Sequence, residues 1–302
     1  MKKLALPIFF ASFFYSVANT QEMARLDTIS VVAKSAVLKK ISSEFSFTEG
    51  PAVNKKGDIY FTDQPNDKIW KFDTKGNLSI YMDKTGRSNG LFFDHAGNLL
   101  ACADENGELW SIAPDKTKTV LLDNLDGKQL NGPNDLWMDA SGGIYFTDPY
   151  YQRNYWTRKQ SALDGMKVYY LPKGAKQPVV VEDKMERPNG IVGTPDGKYL
   201  YVADIGAGKT YRYKIAANGV LEDRQLFFAQ GSDGITLDNK GNLYLSGNGV
   251  TILDKEGKKI GHIPVPSKWV GNLCFGGKKK DLLFITASES VYTLKMSVKG
   301  VE

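Results

Sequence analysis

Apolar residues in this chain fall into short runs, each set between a Gly-bearing turn and a small polar terminator. The run Gly57-Asp58-Ile59-Tyr60-Phe61-Thr62-Asp63 opens the series, and variants of it occupy residues 97–104, 142–148, 197–204, 241–248 and 280–288. Their last residues lie 41, 44, 56, 44 and 40 positions apart. A period of about 40–45 residues carrying several short β-rich runs is what a four-stranded propeller blade looks like in sequence. Helical solenoids have similar periods, but runs of Tyr, Leu, Phe and Val without long 3.6-residue periodicity argue against them. The pattern therefore predicts an all-β fold, a six-bladed β-propeller of four-stranded antiparallel blades around a central channel. Residues 36–41 offer one further outer strand.

The third unit departs from the period, and the excess falls in residues 150–160, directly after Asp148-Pro149. That segment holds Tyr150, Tyr151, Tyr155 and Trp156 with Arg153 and Arg158. Loops this long in compact domains are often functional, and aromatics with arginines suit a lid or wall over a polyhydroxylated ligand. A decorated surface hairpin is the plainer alternative.

Near the start of each unit stands a matched pair: Glu49-Gly50, Asn89-Gly90, Asn134-Asp135, Asn189-Gly190, Asp233-Gly234 and Asn272-Leu273. These lie 14, 15, 14, 15, 15 and 16 residues before their strand ends. Equivalent positions of a propeller share one ring, so six oxygen-bearing side chains are expected at one mouth of the channel. Carboxylate and amide oxygens are hard ligands suited to Ca²⁺ or Mg²⁺, with Mn²⁺ or Zn²⁺ admitted when water completes the shell. The competing reading is turn chemistry, because Asn-Gly and Asp-Gly are favoured wherever φ is positive. The strand-ending Asp63, Asp104, Asp148 and Asp204 form a second set, read as turn residues that stabilise the repeat.

Length and composition narrow the picture. At 302 residues, with 42% hydrophobic and 24% charged residues, the chain fits one large or two medium globular domains. Residues 1–18 read as a secretory leader with a basic start, an apolar stretch and small residues before the cleavage point. Residues 19–35 read as a loosely ordered lead, and 36–302 as a single propeller domain. Without the two lysines of the leader the formal charge falls from +5 to +3, and no basic run interleaved with aromatics argues for nucleic acid. Export to the periplasm or medium is expected, with no membrane span after cleavage and a monomer or weak dimer as the assembly. Cys102 and Cys274 lie in apolar strand-like runs and read as buried free thiols. Only His95 and His262 occur, which leaves a Ser-His-Asp or His-metal device little to draw on. Ala207-Gly208-Lys209-Thr210 is a hairpin turn, since the earlier Gly of a phosphate loop is missing.

The ordered set Phe47-Thr48-Glu49-Gly50-Pro51, Asn131-Gly132-Pro133-Asn134-Asp135, Phe146-Thr147-Asp148-Pro149, Arg187-Pro188-Asn189-Gly190, Gly231-Ser232-Asp233-Gly234 and Gly271-Asn272-Leu273 resembles the gluconolactonase, regucalcin (senescence marker protein) and luciferin-regenerating enzyme family, from about residue 36 to 296. The resemblance implies one divalent cation at the channel mouth, Ca²⁺ foremost, held by Glu49, Asn189 and Asp233. It places Asn134 against substrate or metal and makes Asp233 the acid/base. Regucalcin-like members carry a substrate-binding Arg two residues before the third-unit Asn, and Gly132 stands there instead. Arg87 and Arg187 precede Asn89 and Asn189 by the same interval and are alternative cations for the pocket. The expected substrate contacts are thus Asn134, Asn89, Arg87, Arg187, Tyr150 and Tyr151. The function implied is metal-dependent hydrolysis of a sugar lactone. The alternatives are a metal-stabilised carbohydrate- or metabolite-binding propeller, or another ester or glycoside hydrolase on this scaffold.

Overall fold

A computed structural model describes Leu26 and residues 28–301; the leader expected at residues 1–18 lies outside them. After β1 (Lys39–Ser42) the chain lays down blades in strict order. The first holds β2 (Thr48–Val53), β3 (Ile59–Asp63), β4 (Lys68–Phe72) and β5 (Leu78–Asp83). The second holds β6 (Ser88–Phe93), β7 (Leu99–Ala103), β8 (Glu108–Ile112) and β9 (Lys118–Leu122). The third holds β10 (Leu136–Met138), β11 (Ile144–Asp148), β12 (Lys167–Leu171) and β13 (Val179–Glu182). The fourth holds β14 (Pro188–Gly193), β15 (Tyr199–Asp204), β16 (Lys209–Ile215) and β17 (Leu221–Phe228). The fifth holds β18 (Ile235–Leu237), β19 (Leu243–Leu245), β20 (Val250–Leu253) and β21 (Lys259–Ile263). The sixth, β22 (Asn272–Gly276), β23 (Leu282–Ala287) and β24 (Ser290–Lys295), takes β1 as its outer strand. Six four-stranded antiparallel sheets thus form the six-bladed propeller that the period predicts.

The second strand of each blade explains the apolar runs. β3, β7 and β11 are buried along their whole length, because neighbouring blades cover both faces of each sheet, and alternation appears only where one face meets water. Outer strands β5, β9 and β17 are much more exposed and mix polar residues with apolar ones such as Ile80, Val120 and Leu226. The turn before β3 is set by Asn54, whose Oδ1 accepts the N–H groups of Lys56 (2.9 Å) and Asp58 (3.0 Å). Gly57 there takes φ 89°, a conformation costly for any residue with a Cβ.

Closure joins the two ends of the ring. Lys39, Lys40 and Ser42 pair with Thr293, Tyr292 and Val291. The Thr48 hydroxyl donates to the carbonyls of Ser288 and Ser290 (3.1 and 2.9 Å) and accepts the Ala287 N–H (3.0 Å). This seam leaves β2 and β22 side by side, with no free inner edge. Cys102 and Cys274 are buried and not joined in a disulfide, as expected.

The lead is the point of difference. Its described part is ordered by packing: Leu26, Ile29, Val31 and Val32 are buried against the fifth and sixth blades. The Ala33 N–H donates to the Lys295 carbonyl (3.1 Å) and the Ser297 N–H to that of Val31 (2.9 Å). Apolar side chains spaced as in an irregular coil carry no periodicity, so this packing is invisible to a pattern reading. Fully burying one such side chain contributes about 1.5–3 kcal/mol. Deleting residues up to 35 while keeping β1 is therefore expected to lower unfolding stability by several kcal/mol in denaturant titration. An unchanged midpoint would show that the segment does not pack in solution.

Candidate active site at the channel mouth

The innermost strands converge so tightly that a side chain in place of the glycine after Glu49, Asn89, Asn189 or Asp233 would have nowhere to go. A Cβ on Gly90 would lie 2.6 Å from the Asn134 carbonyl oxygen, one on Gly190 2.6 Å from that of Asp233, and one on Gly234 2.0 Å from Asn272 Oδ1. On Gly271 it would lie 2.8 Å from Glu49 Oε1. Among Gly50, Gly90, Gly190 and Gly234 only Gly50 has a positive φ, 40°. The repeated Gly thus serves close approach between blades, and the turn-chemistry reading of these pairs is set aside.

That approach sets the inner-strand starts at Glu49, Asn89, Asn134, Asn189 and Asp233 side by side round the ring. Glu49 and Asn189 are buried, and Asp233 is partly exposed at the mouth. Glu49 Oε2 accepts the Gly50 N–H (3.0 Å). Asp233 Oδ2 accepts the Trp269 indole N–H at 2.6 Å. Burial pushes the Glu49 carboxyl well up, and the charge of Asp233 pushes it further; the Gly50 N–H and the Arg153 guanidinium oppose this. Desolvation raises Asp233 to about 6 against the pull of Trp269, Asn189 and Arg153. Two carboxylates are held together here at a cost that a cation would remove.

The donor set fits a hard divalent ion. Asn189 donates through Nδ2 to the Tyr151 hydroxyl (3.0 Å), while its buried Oδ1 accepts no hydrogen bond. A buried polar oxygen without a partner is costly, and this one stands beside the Glu49/Asp233 pair. Among the described residues no three His, Cys, Asp or Glu side chains are grouped for a metal, so amide oxygens have to complete any such set. Asp135, a third buried carboxylate, is engaged elsewhere: Oδ1 accepts the Leu136 N–H (2.9 Å) and Oδ2 the Asn272 amide (3.3 Å). Asn272 is likewise turned inward, its Oδ1 accepting the Leu273 N–H at 2.8 Å.

Residues 149–166 form the wall over this mouth. Tyr151 reaches Asn189, whereas the Tyr150 hydroxyl bonds Gln152 Oε1 (2.7 Å) within the loop itself. Arg187 is exposed with its guanidinium 5.2 Å from the Tyr151 ring centre. Arg87 is tied to the rim by the Pro65 carbonyl (2.6 Å), by Glu105 (3.4 Å) and by stacking on Tyr155 (4.4 Å). At Gly132 a Cβ would lie 2.4 Å from Asp104 Oδ1 and 3.1 Å from Trp156, so this chain has no room for a side chain there. Trp269 and Arg153 carry no spacing signal that singles them out; one comes from the approach to β22, the other from the inserted loop.

The strand-ending aspartates divide. Asp63 accepts the N–H groups of Ser46 and Phe47 (3.0 and 3.2 Å), Asp148 those of Asn131 and Gly132 (2.9 and 2.8 Å), and Asp204 those of Glu186 and Arg187 (2.9 Å each). Each clamps the entry to its own blade's inner strand, the turn role expected of it. Asp104 does not; at the entry to the second blade Asp67, from the β3–β4 turn of the first blade, accepts the Thr85 and Arg87 N–H groups instead (2.8 and 2.7 Å).

Known proteins share this architecture. The family model described as SMP-30/Gluconolactonase/LRE-like region matches residues 47–289. A gluconolactonase from Zymomonas mobilis is 30% identical over 93% of this chain and 86% of its own length. The solved gluconolactonase of Xanthomonas campestris aligns with a TM-score of 0.82 at 27% identity, covering 88% of this chain and 91% of that one. A regucalcin from Agrobacterium tumefaciens, described as a calcium-binding protein, gives 0.73 at 18% identity over 87% and 95% of the two chains, a likeness of fold alone.

Two outcomes test this geometry. Gly190→Ala is expected to cost about 1–3 kcal/mol by overpacking, read as a lower denaturation midpoint; an unchanged midpoint would mean the strands stand further apart. Burial raises Asp148 to about 7, against its two N–H donors and the Arg158 charge. A carboxyl raised on folding favours the folded state below its unfolded value, about 4, and that contribution is lost as pH rises through about 7. The melting temperature is therefore expected to fall across that window, less steeply in Asp148→Asn. Equal slopes would remove Asp148 as a cause.

Proposed function

The chain belongs to the SMP-30/gluconolactonase/LRE-like family, and from that membership we propose that it hydrolyses a sugar lactone at the channel mouth. The observation that carries the cofactor assignment is the partnerless, buried Asn189 Oδ1 on a side chain that neighbours Asp233, whose charge in turn acts on Glu49. Glu49, Asn189 and Asp233 would hold a divalent cation, Ca²⁺ foremost, with Asn134 as a further oxygen facing metal or substrate. When bound, such an ion supplies Lewis acidity for the ester carbonyl and for a nucleophilic water.

The chain's own residues supply position and proton transfer. Trp269 fixes Asp233 by donating to Oδ2, which directs Oδ1 to take the proton of the attacking water and return it to the departing ring oxygen. Tyr151 orients the Asn189 amide through its hydroxyl, so that the amide oxygen faces the mouth. Asn89 and Asn134 line the same ring and offer neutral partners for sugar hydroxyls. The buried inner strands exclude water from below, which strengthens each of these contacts.

Proton release from a panel of aldonolactones, measured on metal-stripped and Ca²⁺-reloaded protein, tests the reading. Turnover is expected only with metal, and Asp233→Asn should reduce it about 100-fold or more while the fold is kept. Metal-loaded protein that opens no lactone would refute the assignment, as would full activity in Asp233→Asn.

A further inference from the structure

The inserted wall is pinned to the second blade, and the pin carries a charge to the mouth. Arg153 donates from Nε to Asp104 Oδ2 at 3.1 Å, and the Tyr155 hydroxyl donates to the same oxygen. Asp104 is 2% exposed and free of the clamp duty of its three counterparts. Arg158 fastens the next turn by donating to the carbonyls of Leu130 (2.6 Å) and Asn131, stacked 3.9 Å from Trp156. These bonds make the segment a fixed wall. The Arg153 guanidinium is held 5.4 Å from the centre of the Tyr151 ring, whose hydroxyl meets Asn189. Its side chain keeps 23% exposure, and the bond to Asp104 uses Nε, which leaves the Nη donors of the fork for a ligand.

We propose that Arg153 is a carboxylate-binding residue above the channel mouth, which receives the acid group produced when the lactone ring opens. The inference rests on the lactonase reading. Hydrolysis adds water across the acyl C–O bond, giving a hydroxyl and a carboxylic acid that ionises by releasing one proton. The ligand therefore gains its negative charge only on ring opening. A guanidinium fixed above the site favours that anion over the neutral lactone, because charge-assisted bonds to carboxylate exceed those to a neutral carbonyl. Asp104 acts as a positioning residue, holding Nε so that the remaining donors keep one direction.

Titration calorimetry on the Ca²⁺-loaded full chain tests this with D-gluconate, D-galactonate and D-xylonate as anionic probes and D-glucitol as the neutral one. At least one aldonate is expected to bind the native protein, with affinity that weakens as salt is raised. Arg153→Met, which keeps the stem and deletes the charge, is expected to weaken that binding about ten- to hundredfold. It should reduce the salt dependence and leave glucitol binding unchanged. Arg153→Lys should restore part of the loss, a recovery that a merely structural role would not give. Equal aldonate affinity in Arg153→Met, or no aldonate binding to the native protein, overturns the proposal. If Arg153→Met fails to fold, the salt dependence of aldonate binding in the native protein and in Arg153→Lys decides: no dependence in either overturns it. Lactone turnover with aldonate binding indifferent to Arg153 refutes this subsite alone. Arg153-dependent aldonate binding without turnover refutes only the lactonase reading.

Discussion

Ring closure brings the Glu49 carboxyl within reach of the Asp233 charge, and much of the local structure answers to that constraint. The two residues come from the first and fifth blades and meet only because the Thr48 seam joins the ends of the ring. Burial pushes both carboxyls up, and the charge of Asp233 pushes Glu49 up further. The Gly50 N–H, the Trp269 indole and the Arg153 guanidinium soften the repulsion without removing it. A site of this kind is unfavourable by itself and becomes favourable with a bound cation, so ligand binding and stability are linked.

A repeated fold gains an individual site where one repeat breaks the rule. Three of the four strand-ending aspartates clamp the chain entering their own inner strand. At the entry to the second blade Asp67 of the first blade performs this task, and Asp104 is left to grip the loop that grows from the third blade. The gain is a fixed Arg above the mouth, placed by a contact between blades. The same contact fills the space beside Gly132, so the cation arrives from the loop and not from the strand entry.

Much of the fold was legible in the residue pattern for a plain reason. A blade's second strand is buried on both faces, which demands an apolar run such as Ile59 to Phe61, and the turn chemistry before it demands Gly57. Six such runs at one spacing specify six blades. The matched offset of Glu49, Asn89, Asn134, Asn189 and Asp233 likewise specifies a ring, because equivalent positions of a closed repeat share a radius and a height.

The chain's order of residues therefore determined the blade count and the presence of an insertion between β11 and β12. Tertiary structure decided what distance alone can decide: that Gly90, Gly190 and Gly234 yield to a neighbouring strand, and that the lead at Leu26 to Val32 packs on the last blades. It also decided that Arg153 is held at the mouth while Arg87 is tied to the rim. These outcomes depend on contacts between segments far apart in sequence, and such contacts leave no local periodicity to read.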